Sequence, residues 1–152
     1  MMKPIWAAGL VTILCGLAAS PASAVNVRDC DETASVAAIM EPWEQNTRAF
    51  YNGSVRVALL DTGGEPICCS QHLLILAPDK TSEMGDRFCR IVSDHEGLGF
   101  AGIDFAHLVA KYEEGKGLLI TFPYTLYVDG ITSKTGTGRV RVMLDRGTIA
   151  KE

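Results

Sequence analysis

The chain has 152 residues, 14 basic against 18 acidic side chains, a formal net charge of −4 and 47% apolar residues. Its charges are scattered rather than clustered. This argues against nucleic acid or an anionic membrane surface as partner, because either calls for a basic patch.

In chain order the first element is a leader over residues 1–24. Lys3 gives a basic start, and the stretch from Ile5 to Ala19 has no charge. Ser20-Pro21 then breaks the run ahead of Ala22-Ser23-Ala24. This order is a secretory signal peptide, and the small residues Ala22 and Ala24 place the cut before Val25. A retained anchor would need about 20 apolar residues, and this run is shorter and ends at Pro21. Leu14 before Cys15 does not fit a lipidation site. The expectation is a single mature domain over residues 25–152, periplasmic or secreted, with no membrane span after cleavage. Losing the leader removes one Lys and no acid, so 13 basic and 18 acidic groups remain, a net −5.

Four cysteines follow the leader: Cys30, Cys68, Cys69 and Cys89. An even number in an oxidising compartment reads as two disulfides. Cys68 and Cys69 fall in an apparent strand, where neighbours point to opposite faces. One is therefore expected to bond Cys89 and the other Cys30. A vicinal Cys68–Cys69 bond ranks last, because it needs a strained peptide.

Residues 31–50 read as a helix, with Asp31 or Thr33 as N-cap and Val36, Ile39, Met40, Trp43 and Phe50 on one stripe. Pro42 kinks it or starts a second helix, and Asn52-Gly53 stops it. From Ser54 onward the pattern is β. Strands are expected over residues 54–61, 67–77 (central, apolar on both faces near Leu73), 87–93, 117–128, 139–144 and 148–150. Pro123 marks the long strand as an edge or a bulge, and residues 132–138 read as a flexible connection. The stretch from Asp104 to Tyr112 leans towards a short helix capped by Asp104. Hairpin-length connections favour antiparallel pairing. The expected fold is α+β, an N-terminal helix packed on a mostly antiparallel sheet of five or six strands. The alternative is a small β-sandwich or open barrel.

No stretch carries a strong catalytic or cofactor pattern, and no cofactor is expected. Cys68, Cys69, His72 and Cys89 are the alternative reading, a metal- or thiol-dependent site. Zinc wants thiolates or imidazoles converging from several elements, and oxidation removes those thiolates. Cys68 and His72, four apart on a straight strand, stand about 13 Å from each other and cannot act as nucleophile and base. Asp94-His95-Glu96 reads as a solvated turn and His107 as a core or boundary histidine. No G-x-S-x-G surrounds any serine. The aromatics Trp43, Tyr51, Phe122, Tyr124 and Tyr127 form a candidate recognition surface, with strand addition near Pro123 and Tyr124 as one mode. Their alternative role is core and rim.

The run from Ile39 to Arg48, with Glu41-Pro42-Trp43 at its centre, continues through Val55-Arg56-Val57-Ala58-Leu59-Leu60-Asp61-Thr62. Together with His72-Leu73-Leu74, Gly99-Phe100-Ala101-Gly102 and Gly117-Leu118-Leu119, it resembles small exported proteins of alphaproteobacteria that carry no assigned function. The resemblance implies a bacterial periplasmic address and no activity. The functional expectation is thus a non-enzymatic, disulfide-stabilised module that binds a protein or envelope component.

Overall fold

The computed structural model describes residues 25–63, 68–95 and 97–152. The expected leader, residues 64–67 (which include the start of the strand expected over 67–77) and Glu96 lie outside the described residues. Among the described residues there are ten strands: β1 (Asn26–Asp29), β2 (Thr47–Phe50), β3 (Val55–Asp61), β4 (Gln71–Pro78), β5 (Arg87–Ser93), β6 (Gly102–Ile103), β7 (Val109–Glu113), β8 (Gly117–Tyr127), β9 (Ser133–Met143) and β10 (Thr148–Lys151). They form two antiparallel sheets. Sheet 1 has the order β1-β5-β4-β3-β2, and sheet 2 the order β10-β9-β8-β6 with β7 also paired to β8.

Alternation explains the layering. Val55, Val57 and Leu59 of β3, and Leu73 and Ile75 of β4, turn inward. They meet Leu118, Ile120 and Phe122 of β8 and Val140 and Val142 of β9 in one shared core. Burying such a side chain contributes about 1.5–3 kcal/mol, so the face-to-face contact of the sheets holds the domain together. Two packed sheets replace the expected helix-on-sheet arrangement.

The helix expected over residues 31–50 is absent. That stretch holds a 3-10 turn (Val36–Ala38), a single α-helical turn, α1 (Trp43–Asn46), and then β2. Short polar side chains divert the backbone locally: the Asp31 carboxylate accepts from the Thr33 N–H (3.0 Å) and the Ser35 hydroxyl from the Ala37 N–H (3.2 Å). The residues meant for one helical stripe are instead dispersed: Ile39 packs on the outer face of sheet 1, Met40 and Phe50 pack against the core between the sheets, and Val36 and Trp43 are exposed. Ile39 bridges to Leu60, and the Met40 N–H donates to the Leu59 carbonyl at 2.9 Å. Cys30, Ala34, Ala38 and Ile39 thereby pack against the cluster of Ala58, Leu60, Leu74 and Ile91 without closing over Ala58 and Leu74, which still line a groove. Asn52-Gly53, expected to stop a helix, closes the β2–β3 hairpin instead, with φ of 55° and 80°.

Three further stretches differ from expectation. Between Asp104 and Tyr112 lies a 3-10 turn (Phe105–His107), capped by the Asp104 side chain, and then β7. Residues 133–138, expected as a flexible connection, are the first half of β9. Pro123 is in an interior strand. Its carbonyl accepts from the Asp104 N–H at 3.0 Å, so its nitrogen, on the same side, faces the gap between β6 and β7 where no ladder donor is needed.

Candidate functional site

The residues of sheet 1 that face away from the core build an apolar trough. The register sets Thr47 beside Ala58 and Ala58 beside Leu74, and, one row along, Ala49 beside Arg56 and Arg56 beside Leu76. The strap ending at Ile39 closes one side. The result is an open groove of about 440 Å³ lined by Ile39, Thr47, Ala49, Arg56, Ala58, Leu74 and Leu76, to which Arg48 and Val57, whose side chains turn inward, add their backbone. Small-molecule sites occupy about 300–1,000 Å³.

Polar groups around the groove are mostly engaged. The Thr47 hydroxyl donates to the Trp43 carbonyl at 2.7 Å. The Arg48 guanidinium donates to the carbonyls of Leu108 (2.6 Å) and Ala106 (2.9 Å) and lies 5.3 Å from the centre of the Phe105 ring. Arg56 is exposed, and among the described residues it has no hydrogen bond or ion pair. Arg87 shares this face and donates to the Ser54 carbonyl at 2.6 Å. No aspartate or glutamate occupies an outward-facing position of β2, β3, β4 or β5.

The cysteines pair otherwise than expected. Cys30 bonds Cys89, their Cα atoms 5.5 Å apart, and Cys68 bonds Cys69. The cause is register. Asp29 of β1 pairs with Arg90 of β5, which sets Cys30 beside Cys89. Cys68 and Cys69 precede β4, which starts at Gln71, so the strand geometry that would have pointed them apart does not apply. The alternative metal set of Cys68, Cys69, His72 and Cys89 is not assembled. Cys89 is bonded to Cys30, and no group of three or more His, Cys, Asp or Glu side chains placed to hold a metal occurs among the described residues.

His72 lies under the strap, 4% exposed, and its Nδ1 is 2.8 Å from the hydroxyl of fully buried Ser93. Burial, with the nearby Arg28 charge adding to it, holds the imidazole below its ordinary pKa; Asp31 and Asp61 oppose the shift. The pair has a base beside a hydroxyl, but no route for a substrate to either. Asp94 is buried and contacts His95 Nδ1, so these two neighbours do act as a pair, while the His95 ring stays largely in solvent. His107 is exposed rather than buried and meets Asp104 Oδ2 at 2.7 Å. Among the described residues no serine or cysteine side chain is hydrogen-bonded to either of these histidines.

The proposed aromatic surface does not form. Phe122 and Tyr124 are core residues, packed on Phe100 with ring centroids 5.8 and 4.9 Å away. Burial and the Asp94 charge raise the Tyr124 hydroxyl above its usual pKa. Trp43, Tyr51 and Tyr127 are exposed but separate: Tyr51 contacts Tyr112 at 5.4 Å, whereas Tyr127 pairs with Ser133 near the β8–β9 turn. Strand addition at Tyr124 is blocked, because β8 has β9 on one side and β6 and β7 on the other.

Sequence reasoning passed over the groove. Its one signal was Arg56, which shares a strand face with Ala58 and Leu60 in Val55-Arg56-Val57-Ala58-Leu59-Leu60. No protein-family model, curated protein or solved structure matches the chain.

Proposed function

We propose that the protein is an exported, non-enzymatic binding module whose binding site is the groove on the outer face of sheet 1. The observation that carries this reading is an open, mostly apolar groove of about 440 Å³ on a sheet braced by the Cys30–Cys89 bond. Cystine pairing and the leader expected over residues 1–24 support a periplasmic or secreted address. A bacterial periplasm, as in the exported proteins the sequence resembles, suits both. Among the described residues no helix is long and apolar enough to cross a membrane.

The test uses the oxidised full chain and Nile red, an uncharged dye that brightens in apolar surroundings. Dye fluorescence should rise with the native chain. It should fall back for Ala49→Trp, which fills the groove from an exposed position and leaves the far-ultraviolet circular dichroism and thermal midpoint unchanged. Equal fluorescence from native and variant would remove the groove as the site.

A further inference from the structure

We infer that the groove's ligand is a single-chain anionic amphiphile, with its apolar chain over Ala58, Leu74 and Leu76 and its carboxylate on Arg56. This rests on the reading of the groove as the binding site. Three observations select the class. The floor is the face of paired strands: β3 and β4 both have neighbours on either side, so their backbone donors and acceptors are engaged. Of the lining side chains that face the groove, Thr47 is engaged too, donating to the Trp43 carbonyl. An extended peptide laid there would leave its own N–H and C=O groups without partners, which is costly once water is expelled. An acyl chain has no such groups.

The third observation is charge. The chain as a whole is acidic, at −4. The outer face of sheet 1 nevertheless carries Arg56 and Arg87 and no acidic residue on β2 to β5. Arg87 is held by the Ser54 carbonyl. Arg56 has no partner among the described residues, so its five donors are free to take a carboxylate in the paired geometry a guanidinium favours. Arg56 stands two residues before Ala58 on the same strand face, so a head group on the guanidinium leaves its tail over the apolar floor.

Titration calorimetry of the oxidised chain with dodecanoate and with dodecanol, both below micelle formation, tests the assignment. Dodecanoate should bind about tenfold more tightly than dodecanol. Arg56→Gln should erase that preference while leaving dodecanol affinity unchanged, and Ala49→Trp should weaken both ligands. If dodecanol matches dodecanoate on the native chain, or if Arg56→Gln keeps the preference, the carboxylate seat is wrong while the groove reading stands. If neither ligand binds the native chain but Nile red does, the amphiphile class is wrong. If neither ligand nor the dye binds, the groove reading fails. Displacement of dodecanoate by an equal concentration of an apolar hexapeptide with a free C-terminus would overturn the acyl-chain assignment in favour of a peptide.

Discussion

The ring of Phe122 lies against Gly138, its cross-strand partner, so closely that a Cβ on the glycine would stand 2.3 Å from a ring carbon. Tyr124 does the same to Gly136, where a Cβ would come within 2.5 Å of the ring. Both aromatic side chains face the core from β8, and the glycines of β9 give them the room to lie down. Gly138→Ala should therefore destabilise the domain by about 1–3 kcal/mol, as overpacking does. Gly102→Ala, where the nearest atom is 4.0 Å from the added Cβ, should change little. Denaturant midpoints of the two variants check this, and equal midpoints would contradict it.

The Cys30–Cys89 bond closes a sequence separation of 59 residues. The loop-entropy model gives about 4 kcal/mol for a closure of that size. Cys30→Ser with Cys89→Ser should lose most of this in equilibrium unfolding, and Cys68→Ser with Cys69→Ser much less, because a bond between neighbours constrains almost no chain. Peptide mapping without reduction should link the Cys30 peptide to the Cys89 peptide. A Cys30 peptide attached to Cys68 or Cys69 would refute the pairing.

His72 predicts a pH dependence with a definite sign. Its pKa in the folded chain is below the ordinary 6.5. In the unfolded chain it takes up a proton near 6.5, while the folded chain resists until a lower pH. Stability is then full above about pH 6.5 and falls as the pH drops from there towards the lowered folded value. The exposed carboxylates with lowered pKa, such as Asp31, act below 3.8 and so in a separate window. Unfolding free energies between pH 5 and 8 should decline towards acid for the native chain. The decline should flatten for His72→Gln, and an unchanged slope in the variant would assign the effect to other groups.

Arg48 ties β2 of sheet 1 to the turn beside β7 of sheet 2 through two backbone carbonyls. Arg48→Met should cost about 2 kcal/mol, the range for hydrogen bonds to charged groups. Arg48→Lys should recover only part of that, since one ammonium does not reproduce the fork that spans both acceptors. Hydrogen exchange at the His107 and Leu108 amides should speed up in Arg48→Met. Unaltered exchange there would show that the turn is held by other contacts.

The strands over 55–61, 87–93 and 148–150 were legible because alternation and bounding turns are local signals. The N-terminal stretch misled because Val36, Ile39, Met40 and Trp43 suit a helical stripe, while the contacts that win, such as Ile39 on Leu60, are set by a strand distant in sequence. The cystine pairing failed for the same reason: it follows from the pairing of Asp29 with Arg90 in the four-residue strand β1, which gives little local signal. The groove needs the mutual register of β2, β3 and β4. Residue order shows that Arg56 shares a face with Ala58, but not that Leu76 and Ala49 flank it.

Synthesis runs from the N-terminus, so Cys30 emerges well before Cys89, and only Cys68 and Cys69 stand between them. Left as thiols, those two would be the first partners an oxidant could offer Cys30. Joined to each other, they are both withdrawn from that choice. The bond between the adjacent cysteines braces almost nothing itself, yet among the described cysteines it leaves Cys89 as the one partner for Cys30.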